Sequence, residues 1–161
     1  MYKQHLLQNI EREIVLLKQL APLIEEKDLE YKPMDKVRTT HELMMYLSTI
    51  GSSMIRWLHK NDLTPEFWEG VREYRNTLTI ENFEERLDAD LILIKKYMDE
   101  ITEEELFNKE AILPTKEKMV LGAAIINAPI KWLAVYRMEL FLYLKMTGRE
   151  GISTKEAWVI Q

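Results

Sequence analysis

Few residue types in this chain could carry chemistry. There is no cysteine, which excludes disulfides, thiolate metal sites and a cysteine nucleophile. The three histidines, His5, His41 and His59, lie far apart, and no two have the three- or four-residue spacing that places two imidazoles on one helix face. Five glycines leave little material for a phosphate-cradling loop, and no Walker pattern, dinucleotide fingerprint or Ser-His-Asp arrangement is present. One constellation does stand out: Trp132, Tyr136 and Glu139, spaced by four and three, share a helix face. An indole, a phenol and a carboxylate on one face can border an amphipathic pocket. The same aromatics can equally fill a core, since tyrosine and tryptophan bury large area once their polar tips find partners.

The elements that would position these residues are helices. Leu7, Ile10, Ile14, Leu17, Ala21 and Ile24 form a first apolar stripe. Residues 25–37 are polar, contain Pro33 and read as a connection. Thr39 followed three residues later by Glu42 is a capping box. It opens a second helix with Leu43, Leu47, Ile50, Met54 and Trp57 inward, ending at Asn61-Asp62. Ser48, Gly51, Ser52 and Ser53 are small enough to let a neighbour approach closely. Thr64-Pro65 predicts a cap and first position for a short helix to about Arg75. Thr79 caps a third long helix with Phe83, Leu87, Leu91, Ile94, Met98 and Ile101 inward, and Thr102 with Glu105 caps one further turn. The last long helix is expected from Thr115 to Thr147, stopping at Gly148 and kinked near residues 125–127 by Pro129. Trp158 in the tail is expected to fold back on the bundle. No strand-like alternation is visible. The expected fold is all-α: one up-down four-helix bundle domain over residues 1–161, with a short extra helix between the second and third long helices.

Composition agrees. Hydrophobic residues make up 47% and charged residues 30% of the 161, as in ordinary globular domains. The net charge of −5 opposes phosphate backbones, so nucleic acid is not an expected partner. The N-terminus has no apolar signal region, and the longest apolar stretch, residues 119–126, is far too short for a membrane span. No membrane partner and a cytoplasmic location are expected. The methionines in the helical patterns read as core gap-fillers.

Two stretches resemble the DinB/YfiT-like bundle family of bacterial, metal-dependent proteins. Arg38-Thr39-Thr40-His41-Glu42-Leu43-Met44-Met45-Tyr46-Leu47 is similar to that family's second helix. Tyr136-Arg137-Met138-Glu139-Leu140 through Gly148 is similar to its fourth. The resemblance implies a divalent metal held by one histidine of the second helix and a histidine pair, four apart, on the fourth. Those positions hold Tyr46, Trp132 and Tyr136 here, and Glu139 replaces the family's glutamine. A phenol with a reference pKa of about 10 must lose a proton to ligate, and an indole has no useful lone pair. His41 and His59 each sit roughly 140° around the helix from residue 46, so neither substitutes for the missing imidazole; surface or capping roles are expected for them.

The expectation is therefore a DinB-like bundle with a degenerate metal site and no cofactor, acting as a small-molecule-binding or interaction module. Tyr46, Trp132, Tyr136 and Glu139 are its candidate pocket residues; no catalytic residue is assigned. Two alternatives stay open. One is a hydrolase or thiol transferase working without the histidine-bound metal, with a tyrosine as proton donor and Glu139 as base. The other is a structural homodimer, which the resemblance also implies.

Overall fold

Periodic apolar stripes and well-formed caps decide where the helices lie. The computed structural model describes residues 1–61, 64–149 and 151–161. Helix α1 (Tyr2–Leu20) buries Leu6, Ile10, Ile14, Leu17 and Leu20, with Leu7 only half-buried. The connection that follows carries short 3-10 turns at Ala21–Leu23 and Glu26–Asp28. Its buried Asp28 is held by Arg149, which also pairs with Glu25 at 2.9 Å.

The second long helix forms as two pieces, α2 (Thr40–Leu47) and α3 (Ile50–Lys60), rather than one. Ser48 Oγ donates to the Met45 carbonyl at 2.9 Å, and Thr49 adopts a non-helical φ of −144°. A hydroxyl side chain that bonds a nearby carbonyl competes with the helical ladder, and Ser48 does so where the helix breaks. The Thr39–Glu42 capping box is complete, with bonds of 2.8 and 3.2 Å. Asn61 closes α3 in a left-handed conformation; Asp62, read as part of that end, lies outside the described residues.

Thr64 caps α4 (Pro65–Asn76), the extra helix, by accepting from the Phe67 amide. Helix α5 (Ile80–Asp99) starts at a Thr79–Asn82 box, and α6 (Glu103–Asn108) at a Thr102–Glu105 box. On α5 the buried positions include Asp90, while Leu91 is only half-buried.

The chain between α6 and the last helix departs from expectation. Residues 110–120 form a hairpin, β1 (Glu110–Ile112) against β2 (Lys118–Val120), antiparallel with Ala111 opposite Met119. Thr115 lies in its turn and starts no helix. Pro114 disfavours helix for its predecessor, and Lys116 takes a φ of 70°. Ala111 and Leu113 are buried, and Trp57 Nε1 donates to the Ile112 carbonyl at 2.8 Å.

Helix α7 (Leu121–Ile125) runs through a π-helical segment, Ile126–Ile130, into α8 (Lys131–Met146). Pro129 sits inside the π segment, which widens the helix where the proline ring and its missing amide disrupt α-helical bonding. Gly148 follows with a φ of 92°. Finally α9 (Thr154–Trp158) folds back onto α1 as expected. Arg137 of α8 anchors it. Its Nε donates to Glu13 of α1 at 2.8 Å and its Nη1 to the Ala157 carbonyl, so its ion partner is Glu13 and not Glu139.

Helix α3 packs along α5, α1 touches both α5 and α8, and α2 lies on α8. The buried apolar residues form one contiguous cluster. The result is an all-α up-down four-helix bundle with α4 as the extra helix. Among the described residues no helix is long and apolar enough to cross a membrane.

Candidate functional site

The end of α2 and the early turns of α8 meet at two tyrosines. Tyr46 and Tyr136 contact edge to face, with ring centroids 5.0 Å apart and planes at 78°. Arg38, just before the Thr39 cap, lays its guanidinium 4.3 Å from the Tyr46 ring centre and 5.3 Å from that of Tyr136. Arg75, in the last turn of α4, reaches within 5.1 Å of the same Tyr46 ring. The helix break makes that reach possible: Thr49 Oγ1, freed by the interruption, accepts from Arg75 Nε at 2.7 Å. Two guanidinium groups thus share one aromatic ring.

Burial, with the neighbouring Tyr136 phenol, pushes the Tyr46 phenol up to about 12, although Arg38 and Arg75 pull the other way. Tyr46 is therefore a neutral hydrogen-bond donor near pH 7. Burial also lowers the Arg75 pKa, and the proximity of Arg38 adds to that. Neither Arg38 nor Arg75 has a carboxylate at salt-bridge distance among the described residues, whereas Arg72, Arg137 and Arg149 all do. Arg38, Glu42, Tyr46, Arg72 and Arg75 line a cleft of about 300 Å³. On the other side of Arg38, a more open one is lined by Lys36, Val37, Glu42 and Glu139.

The other expected residues are placed less centrally. Glu139 accepts from the Tyr143 hydroxyl at 2.7 Å. Burial first, and Glu139 second, hold that phenol well above the ordinary tyrosine range. Trp132, one turn before Tyr136, packs half-buried against the core and makes no ring contact with either tyrosine. Glu42 is the capping carboxylate and also lines both clefts.

The histidines are dispersed. His5 is exposed, and His41 Nε2 lies 3.0 Å from the Leu78 carbonyl. His59 is buried rather than superficial, 3.2 Å from Glu105. Burial lowers its pKa more than Glu105 raises it. Among the described residues no three His, Asp or Glu side chains stand close enough to hold a metal ion.

Sequence reasoning missed Arg38 and Arg75. Arg38 could have been noticed as the residue beside the capping box; Arg75 carried no signal, because the break at Ser48-Thr49 that docks it was not foreseen.

No family model matches the sequence, and no curated protein is similar to it. Solved structures are. A protein from Exiguobacterium sibiricum assigned to the DinB family superposes with a TM-score of 0.74 at 17% identity, covering 96% of this chain and 97% of its own. The fold is DinB-like. A DinB-like protein from Bacillus subtilis agrees, with a TM-score of 0.67 at 17% identity over 92% of this chain and 95% of that one. At such identity the shared property is the fold, not the activity.

Proposed function

We propose that this chain is a small-molecule-binding module on the DinB-like fold, in which the family's metal position has become an anion site. The observation that carries this reading is the pair of arginines, Arg38 and Arg75, stacked on Tyr46 with no carboxylate at salt-bridge distance from either among the described residues. Guanidinium groups outside a salt bridge recognise carboxylate or phosphate through directed N–H bonds, although Asp90 acts on Arg75 through its charge. In a chain of net charge −5, Lys36, Arg38, Arg75 and the Glu69-paired Arg72 outnumber the carboxylates Glu42 and Glu139 lining the same two clefts, which makes them a local focus for anions.

The same residues do not fit a divalent cation. The Tyr46 phenol is pushed up to about 12 and stays protonated near pH 7, Trp132 offers no lone pair, and two guanidinium charges repel a metal from the spot. A metal-free acid–base mechanism is disfavoured too. A proton donor works best with a pKa near the operating pH, and Tyr46 is far above it.

Isothermal titration with phenyl phosphate and with benzoate tests the reading. Saturable binding by the wild type, weakened at least tenfold in Arg38→Gln and in Arg75→Gln, is expected. No binding, or binding indifferent to both substitutions, would refute it.

A second reading rests on a different face. Val135, Leu142 and Met146 are exposed along one side of α8, beside Met34 and Trp158. Apolar stripes of this kind mark contact surfaces. We propose a second copy of this chain as the partner, in an isologous pairing of the α8 faces.

A further inference from the structure

Outside the tyrosine–arginine cluster, Asp90 is a buried carboxyl on the inward face of α5, 3% exposed. Its Oδ1 accepts from the Ser52 amide at 3.3 Å and from the Ser52 hydroxyl, while Oδ2 has no hydrogen-bond partner. A buried oxygen without a donor costs free energy that a folded chain rarely tolerates without a reason. Burial drives the carboxyl up to about 7 against the opposing pull of Ser52, the Gly51 amide and Arg75.

Asp90 lines a cavity of about 380 Å³ between α3, α4 and α5. That size is within the range of small-molecule sites. Phe67, Tyr74, Leu93 and Tyr97 make its walls largely apolar, and Ser52 stands beside the carboxylate. Glu66 is its second acid, and no lysine or arginine lines it. Its charge character is thus opposite to that of the Arg38 cleft, although Thr49 borders the cavity and also anchors Arg75. Helix α4 buries none of its residues completely, which is why space remains beneath it.

We propose that this cavity is a second ligand site, for a small hydrophobic amine whose ammonium group meets Asp90 while its carbon body lies among the aromatic walls. An ammonium in the cavity, beside the Ser52–Asp90 pair, would offset the charge of the buried carboxylate. Desolvation of the two charges inside an apolar wall discriminates against neutral and anionic ligands of the same shape. Arg56 and Arg86 already lie over the Phe67 and Tyr74 rings, 4.7 and 3.7 Å from their centres, so these walls serve the ligand as apolar surface.

Phenethylamine is the probe, titrated calorimetrically at pH 8, with 2-phenylethanol and 3-phenylpropanoate as shape-matched controls. Gly70, on the cavity wall, has nothing within 4 Å of where a Cβ would stand, so Gly70→Phe adds bulk at the cavity without a clash at its Cβ. One-site binding of the amine is expected, at least tenfold weaker in Asp90→Asn and lost in Gly70→Phe, with both variants folded by circular dichroism. The alcohol and the acid should bind at least tenfold more weakly than the amine. Absence of saturable amine binding would overturn the proposal. So would undiminished binding in Asp90→Asn, or an alcohol that binds as tightly as the amine.

Discussion

A single buried carboxyl sets the most distinctive pH behaviour. Asp90 is raised to about 7 in the fold, against about 3.9 for an ordinary aspartate. Below about pH 4 both folded and unfolded chains hold the proton. As pH rises toward 7 the unfolded chain releases it first, so stability falls across that window and the loss is complete above it. A gap of about three units corresponds to a few kcal/mol, roughly 4 at most. Asp90→Asn is expected to be more stable than wild type in urea at pH 8, with the advantage gone at pH 4. A constant difference at both values would contradict the assignment. Glu105, held at about 2 chiefly by the Thr102 amide, acts oppositely, but only below about pH 4, so the two windows separate. At a purely local level, Thr39→Ala removes one half of a complete capping box and should cost about 1 kcal/mol in the same assay.

Among the elements, α3 packs along α5, and one glycine permits the contact. A Cβ on Gly51 would stand 2.6 Å from Ile94 Cδ1 and 2.8 Å from Asp90 Oδ2. Gly51→Ala should therefore destabilise by about 1–3 kcal/mol through overpacking. On α4, where a Cβ at position 70 meets nothing, Gly70→Ala should stabilise by about 0.5–1 kcal/mol from helix propensity alone. Thermal or chemical denaturation of the two variants reads opposite signs.

The long helices were legible in the sequence because stripes such as Ile10–Ile14–Leu17 and capping boxes such as Thr39–Glu42 act locally. The hairpin was not. Its strands are three residues each, too short for alternation to register, and only pairing makes them strands. The site was legible in the same uneven way. Tyr46 and Tyr136 contact each other where α2 meets α8, and Glu139 and Trp132 lie nearby on α8 without joining them. The convergence of Arg38 with Arg75 could not be anticipated, because it depends on a helix break and on α4 docking against α2. Asp90 was passed over because Leu91 looked the better inward residue, although three residues separate Asp90 from Leu87 and four from Ile94.

Over the whole molecule, charge is partitioned. An acidic chain concentrates Arg38, Arg72 and Arg75 at one cleft and Asp90 and Glu66 at another, on opposite sides of the Thr49–Arg75 contact. The exposed α8 stripe is a third surface. If two copies pair through it, sedimentation at rising concentration should show a dimer for wild type and a monomer for Leu142→Glu; an unchanged monomer for both would remove the pairing. The tyrosine–arginine cluster in place of a metal centre is tested most directly by elemental analysis. The protein, purified without a histidine tag, is dialysed against zinc or nickel and then against buffer. Far less than one equivalent of metal should remain. A full equivalent that disappears on substituting Tyr46 or Tyr136 by phenylalanine would contradict the proposed anion site.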